Sequence, residues 1–326
     1  MPYRVLIVGL GQIGLGYDLQ LDPALRVYSH ARAFSQHPVF ELVGGVDGSE
    51  KQRALLTNTY GCPAYSDLRS ALAQQVVDVL IIAAPTPLHG VVLEEVLSLG
   101  QPKAVLCEKP LSYDVAEARA MVQSCRKHGV ALYVNYMRRS DTAAIEIRRR
   151  LDDNLITGPV KGLCWYTKGF KHNGSHFFNL LEYWLGPMVG FQVIDPGRQW
   201  DGGDAEPDVH ISFRNGSVVF MAALEEAFSH YTIELLASNG RLRYEQGGQQ
   251  VQWQAAIPGE LRGYTVLSGE VESLPNGMHR YQWHVAEQVA AALGGRSHHL
   301  CSGAEALVTV ENIQSIIDTR AKLLAA

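Results

Sequence analysis

Short runs of aliphatic and β-branched residues alternate with amphipathic stretches through the first 135 positions of the chain. Tyr3 to Val8, Phe40 to Val46, Val77 to Ala83, Ala104 to Cys107 and Val130 to Asn135 predict strands. Leu88 to Leu99 and Asp114 to His128 predict helices, and each is followed by a glycine, Gly100 and Gly129, where a helix C-terminus favours one. Strand and helix in alternation build a parallel sheet covered on both faces.

After Asn135 the pattern changes. Strand-like segments now follow one another with turn signals between them: Val209 to Phe213, Arg214-Asn215-Gly216, Val218 to Ala223, then Thr232 to Ala237, Asn239-Gly240, Leu242 to Tyr244, Gly247-Gly248 and Val251 to Trp253. Asn-Gly between β-formers is the strongest short-range hairpin signal. Helices are expected at Asp141 to Asp152, Ser175 to Leu185, Tyr281 to Leu293 and Ala304 to Leu324. The reading is an α/β Rossmann domain with a doubly wound parallel sheet over 1–136, and over 137–326 an α+β domain with a mainly antiparallel open sheet. No repeat, low-complexity tract or Pro-rich linker separates them.

A length of 326 residues exceeds what one core usually supports, roughly 250 to 300. Apolar residues at 47% and charged residues at 19% are an ordinary globular balance. Net charge is −5 and the longest basic run is Arg148-Arg149-Arg150, which argues against a nucleic-acid surface. The apolar run Val76 to Ala84, broken by Asp78, is far short of the roughly 20 residues of a membrane span. The glycines of Met1 to Gly16 suit a buried strand and turn better than a secretory signal. The five cysteines, Cys62, Cys107, Cys125, Cys164 and Cys301, contain no C-x-x-C pair and fit reduced thiols of a cytoplasmic protein.

Directly after the first strand comes Gly9-Leu10-Gly11-Gln12-Ile13-Gly14, a G-x-G-x-x-G in the strand-to-turn context of a dinucleotide fingerprint. Its glycines permit a tight turn, close approach of backbone N–H groups to a pyrophosphate, and close packing of helix on strand. The second strand ends at Asp47, whose carboxylate can accept ribose hydroxyls and would repel a 2′-phosphate, favouring NAD with NADP as the alternative. Asp47 lies 33 residues after Gly14, beyond the usual distance of about 20, so Tyr17 to Tyr28 is expected to form an excursion near the cofactor.

Two further segments, Ala84-Pro85-Thr86-Pro87-Leu88-His89 and Cys107-Glu108-Lys109-Pro110, follow strands whose carboxyl ends are where such sheets bind ligands. Here the chain closely resembles the glucose-fructose oxidoreductase / inositol dehydrogenase / MocA family, whose hallmark is Glu-Lys-Pro. The resemblance takes in the glycine fingerprint, Pro85-Thr86 with His89, Glu108-Lys109-Pro110, Asn135-Tyr136 with Arg138, Gly174-Ser175-His176 and Ser302 to Leu307. It implies that Lys109 sits beside the nicotinamide and the reacting oxygen, and that His176 is the acid/base residue. It further implies that Pro85, Thr86, His89, Glu108 and Asn135 line the cofactor, and that the second domain mediates homodimer or homotetramer contacts. In that pattern Asp usually stands four residues before the histidine and three after it. This chain has His172 and Asn179 instead.

The residues around His176 carry a physical argument of their own. Ser175 is a good N-cap and would place His176 in the first helical turn, where imidazolium is disfavoured and a neutral ring can accept an alcohol proton. His176, Asn179 and Tyr183 would share one helix face, and Phe177, Leu181 and Trp184 an apolar one. His172 could relay a proton or bind a substrate hydroxyl. No metal is expected, because Asn173-Gly174 interrupts the pair His172 and His176 and no third ligand has recognisable spacing. Lys168 and Lys171, with Asn173, make the loop basic and suit an acidic substituent on a substrate. Candidate substrate contacts are thus Lys168, Asn173, Asn179 and Arg138. Similar Lys-Gly-x-x-His-Asn-Gly-Ser-His loops resemble a subgroup associated with surface polysaccharide building. The expected activity is NAD(P)-dependent hydride transfer to or from a sugar, sugar nucleotide or cyclitol; the alternatives are a non-catalytic dinucleotide sensor and a reductase of a non-sugar substrate.

Overall fold

The computed structural model describes residues 1–325, Gly202 by its backbone alone. The chain divides into two compact units. The first holds residues 1–140 and 279–310, the second 141–278 and the chain from Glu311 onward.

In the first unit β1 (Tyr3–Val8) leads through an excursion to α1 (His30–Gln36). It is followed by β2 (Phe40–Val46), α2 (Glu50–Tyr60), β3 (Ala64–Tyr65), α3 (Leu68–Gln74), β4 (Val79–Ile82), α4 (His89–Leu99), β5 (Ala104–Cys107), α5 (Val115–His128) and β6 (Ala131–Val134). Strands β3-β2-β1-β4-β5-β6 lie side by side in that order, all parallel, the doubly wound arrangement expected. Their near-continuous apolar runs follow from burial on both faces; Val79 to Ile82 are wholly enclosed. Caps set the helix limits. Ser49, Asp67 and Asp114 each accept a first-turn N–H of α2, α3 and α5. Gly129 ends α5 in the left-handed conformation, φ 69°, whereas Gly100 after α4 is extended, so only one of the two expected glycine stops uses glycine's freedom.

The second unit begins with α6 (Thr142–Asp152), β7 (Val160–Tyr166) and α7 (Ser175–Leu185). Then come β8 (Met188–Trp200), β9 (Asp204–Phe213), β10 (Gly216–Ala222), β11 (Thr232–Ala237), β12 (Gly240–Glu245), β13 (Gln250–Pro258), β14 (Thr265–Leu267) and β15 (Glu272–Ser273). These form a nine-stranded sheet, antiparallel except where β7 and β10 run together. The expected Asn-Gly hairpins are present: Phe213 pairs with Gly216 and Ala237 with Gly240. Alternation from Pro207 onward in β9 and throughout β12 buries one face of the sheet against α6 and α7.

The chain then returns to the first unit as α8 (Tyr281–Leu293) and β16 (Cys301–Ser302), before α9 (Gly303–Ala325). Val285, Ala286, Val289, Ala290 and Leu300 complete a core with Val5, Ile7, Leu10 and Phe34, and β16 adds to the sheet antiparallel to β6. The division is therefore discontinuous rather than at 136/137: residues 137–140 and 279–310 fall with the first unit, and apolar side chains of the returning segment fill its core.

Candidate active site

The fingerprint forms a turn in which two glycines are required by the protein and one is not. Gly9 has φ 96°, and a Cβ there would lie 2.6 Å from the backbone of Ala83 at the end of β4; a Cβ on Gly14 would lie 2.1 Å from the Gly9 carbonyl. A Cβ on Gly11 would meet nothing within 4 Å. The space beside Gly11 is what the close approach of a pyrophosphate needs, so this turn fits a dinucleotide. Gln12 to Gly16 then make one wide helical turn closed by i→i+5 bonds, Gly16 N to Gly11 O at 3.0 Å and Tyr17 N to Gln12 O at 2.9 Å. The first N–H groups of such a turn have no partner within it. Asp47 faces the fingerprint: its carboxylate accepts Leu10 N and Ser49 N, both at 2.8 Å, and keeps acceptor capacity for ribose hydroxyls.

The excursion between Tyr17 and Tyr28 is anchored by Asp18, wholly buried, which accepts the N–H groups of Tyr28 and Ser29 at 2.6 and 2.8 Å and the Ser29 hydroxyl at 2.7 Å. Ser29 caps α1, whose first residue His30 is also wholly buried. His30 Nε2 donates to Glu108 Oε1 at 2.7 Å, and Asn135 Nδ2 donates to the same oxygen at 2.7 Å and to Gln282 Oε1 at 3.3 Å. Burial pushes the Glu108 carboxyl up, but the hydrogen bonds and charge of His30, the Asn135 bond and the Lys109 charge outweigh it, and Glu108 titrates below its ordinary 4.5. Tyr281 stacks on Tyr28 with centroids 5.1 Å apart. Burial, then Glu108, Tyr17, Asp18 and Tyr28, push its phenol well up. Neither His30, Gln282 nor Tyr281 was legible as a site residue, because each reaches Glu108 or Asn135 only through tertiary packing.

Pro85 and Thr86 lead into α4 through a short 3-10 turn. His89 is buried, and its ring nitrogens lie 3.2 Å from the Leu111 carbonyl and 3.0 Å from that of Ala84. It ties together the segments that follow β4 and β5. Arg138 is buried in the turn Met137–Ser140.

In the second unit Ser175 does not cap α7. It has helical torsions and donates its hydroxyl to the His172 carbonyl at 3.3 Å, inside a helical run that begins with the wide turn Gly169–Gly174. Asn173-Gly174 therefore does not interrupt the run, and His172 and His176 share it; His176 lies beyond the first turn, which removes the expected N-terminal effect on its ring. The N–H groups that open the run are taken by carboxylates of β9: Gly169 N by Glu206 at 3.0 Å, Lys171 N and His172 N by Asp204 at 3.0 and 2.8 Å. The His172 ring stacks on Trp200, centroids 5.7 Å apart. Lys168 Nζ lies 3.1 Å from Glu225, Lys171 Nζ donates to Gln314, and Asn173 Nδ2 to the Thr167 carbonyl. On α7 both expected faces are buried, His176 and Asn179 as well as Phe177, Leu181 and Trp184.

A doubly wound sheet with an open glycine turn and an acidic residue ending β2 defines a dinucleotide-binding α/β protein. Residues 3–136 match the family model GFO_IDH_MocA, the oxidoreductase family with an NAD-binding Rossmann fold. Scyllo-inositol 2-dehydrogenase (NAD(+)) of Bacillus subtilis is 27% identical over 207 residues, 57% of this chain and 55% of that protein. The match thus spans about half the length of that relative. The fold extends further. The crystal structure of WlbA dehydrogenase from Bordetella pertussis, with NADH and UDP-GlcNAcA, superposes with a TM-score of 0.75 at 19% identity, covering 98% of this chain and 96% of that one. Aldose-aldose oxidoreductase from Caulobacter crescentus gives 0.78 at 17% identity, with 99% and 98% covered. Among the described residues no helix is long and apolar enough to cross a membrane.

Proposed function

We propose that the protein catalyses reversible oxidation of a secondary alcohol on a sugar, sugar nucleotide or cyclitol, using NAD in preference to NADP. The observation that carries the reading is the Gly9–Gly14 turn, open at Gly11 and faced by Asp47, within the segment that matches the oxidoreductase family. The cyclitol dehydrogenase among the relatives supports the substrate class. A nicotinamide dinucleotide held by this turn would supply the acceptor for the hydride of the carbinol carbon. Lys109 is assigned to stabilise negative charge on the reacting oxygen and His176 to take the hydroxyl proton. His172 passes that proton on or holds a neighbouring hydroxyl, with Asn173, Asn179 and Arg138 as further substrate contacts. Lys168 reaches an acidic substituent only in competition with Glu225. Glu108 and Asn135 hold the segment that carries Lys109, and Pro85 and Thr86 line the cofactor.

A screen of sugar nucleotides and polyols, read at the reduced-nicotinamide absorbance with NAD and with NADP, tests this. Turnover with at least one such alcohol, faster with NAD, is expected. Binding of NAD without turnover of any alcohol would point instead to a sensor. We further place the protein in the cytoplasm, supported by five buried free cysteines, and as a homodimer or homotetramer, to be read by light scattering.

A further inference from the structure

The segment that carries His172 is shaped by the strand beside it. Lys168 and Gly169 enter it with φ 66° and 76°. A Cβ on Gly169 would lie 2.1 Å from Asp204 Oδ2, so glycine at this position is what admits the carboxylate. Asp204 then takes two successive donors of the run with its two oxygens, one of them the N–H of His172 itself. Trp200, which ends β8, supports the face of the His172 ring, so the passage from β8 to β9 fixes both the backbone and the side chain of that histidine. Burial raises the Asp204 carboxyl above its ordinary 3.8 against the bonds from Lys171 and His172 and the Lys171 charge, with Glu206 adding to the rise.

We propose that Asp204 is a positioning residue for proton transfer. By clamping the amides of Lys171 and His172 it sets the direction in which the helical run presents His172 and His176. This rests on the reading of His176 as the acid/base residue. The clamp acts through the helix, so its removal is felt in the chemical step rather than in cofactor binding, whose glycine turn belongs to the other unit.

The test compares Asp204→Asn, His176→Ala and the double variant, using the alcohol that turns over in the screen. Asparagine keeps the volume but sets an NH2 group against one of the two amide donors. D204N is expected to lower kcat by roughly tenfold or more, with KM and NADH affinity within about threefold of wild type. In the H176A background D204N is expected to add no further loss, because its effect passes through His176. Hydrogen exchange is expected to rise in residues 168–176 and stay unchanged elsewhere in the second unit. Wild-type kcat in D204N, an undiminished loss in the H176A background, or faster exchange throughout the second unit each overturns the proposal. Wild-type activity in H176A overturns the acid/base reading on which it rests, and is distinguishable because it needs no change at Asp204.

Discussion

Glu108 shows how one residue can depend on contacts far along the chain. Its carboxylate, which follows the last residue of β5, keeps its charge against burial because His30 and Asn135 both donate to one oxygen and the charges of His30 and Lys109 add to them. Removing the His30 donor by His30→Leu leaves the carboxylate with one bond fewer, a loss of roughly 1–3 kcal/mol for a buried group. The sign of the pH effect follows from linkage. The folded-state pKa of Glu108 is lowered, so its contribution to stability is present above the ordinary 4.5 and is lost as pH falls through the lower folded value. In H30L burial dominates, the folded pKa rises above the ordinary value, and acidification then relieves a buried charge instead of removing a stabilising one. Thermal midpoints across the acid range should therefore fall less steeply in H30L than in wild type, and Glu108→Gln should remove this part of the pH dependence; coincident profiles for the three proteins would contradict the account. The Glu-Lys-Pro segment was legible from sequence, since its residues are contiguous. His30 was not, because the contact spans 78 positions and depends on the excursion anchored by Asp18.

At the scale of single elements, the strand-to-turn passage after β1 separates structural from functional glycine. Gly9→Ala places a Cβ against the Ala83 backbone at a positive φ, which L-residues rarely adopt, so both stability and NAD affinity should fall, the former by roughly 2 kcal/mol or more. Gly11→Ala puts the same methyl into open space. Its thermal midpoint should stay within a few degrees of wild type while NAD affinity drops by roughly tenfold or more. Thermal unfolding and fluorescence titration of NADH check the pair, and equal effects on both properties in G11A would mean that this glycine serves the fold. The G-x-G-x-x-G pattern showed that glycines were needed here without showing which need was which. The start of α7 was misread for a related reason: Ser175 is a good cap by residue type, but Asp204 and Glu206, about 30 positions later, already satisfy the opening N–H groups of the run. Tertiary carboxylates displaced a local cap, and local pattern carries no trace of them.

For the whole molecule, the order of elements and the route of the chain are separate pieces of information. Periodicity revealed the strands and helices of both halves, because alternation and apolar runs are local consequences of burial. It could not reveal that residues 279–310 return to the first unit, since α8 has an ordinary apolar face that would suit either core. The return has a mechanical consequence. Val285, Val289 and Leu300 are at most 5% exposed, and they cover Val5, Ile7 and Phe34 of the dinucleotide-binding unit, while Gln282 meets Asn135 and Arg139 pairs with Glu305 at 2.7 Å. A chain ended after Met278 keeps the complete glycine turn and all six parallel strands, yet uncovers this core. Each large aliphatic side chain lost contributes roughly 1.5–3 kcal/mol of burial, so removal of three exceeds much of the 5–15 kcal/mol by which a typical domain is stable. Residues 1–278 should therefore fail to bind NADH and should unfold without a cooperative transition, whereas co-expression with residues 279–326 should restore both. Tight NADH binding by the shortened chain alone would show that the first unit is closed by its own 140 residues, and that the returning segment is an addition to the dinucleotide site rather than part of its foundation.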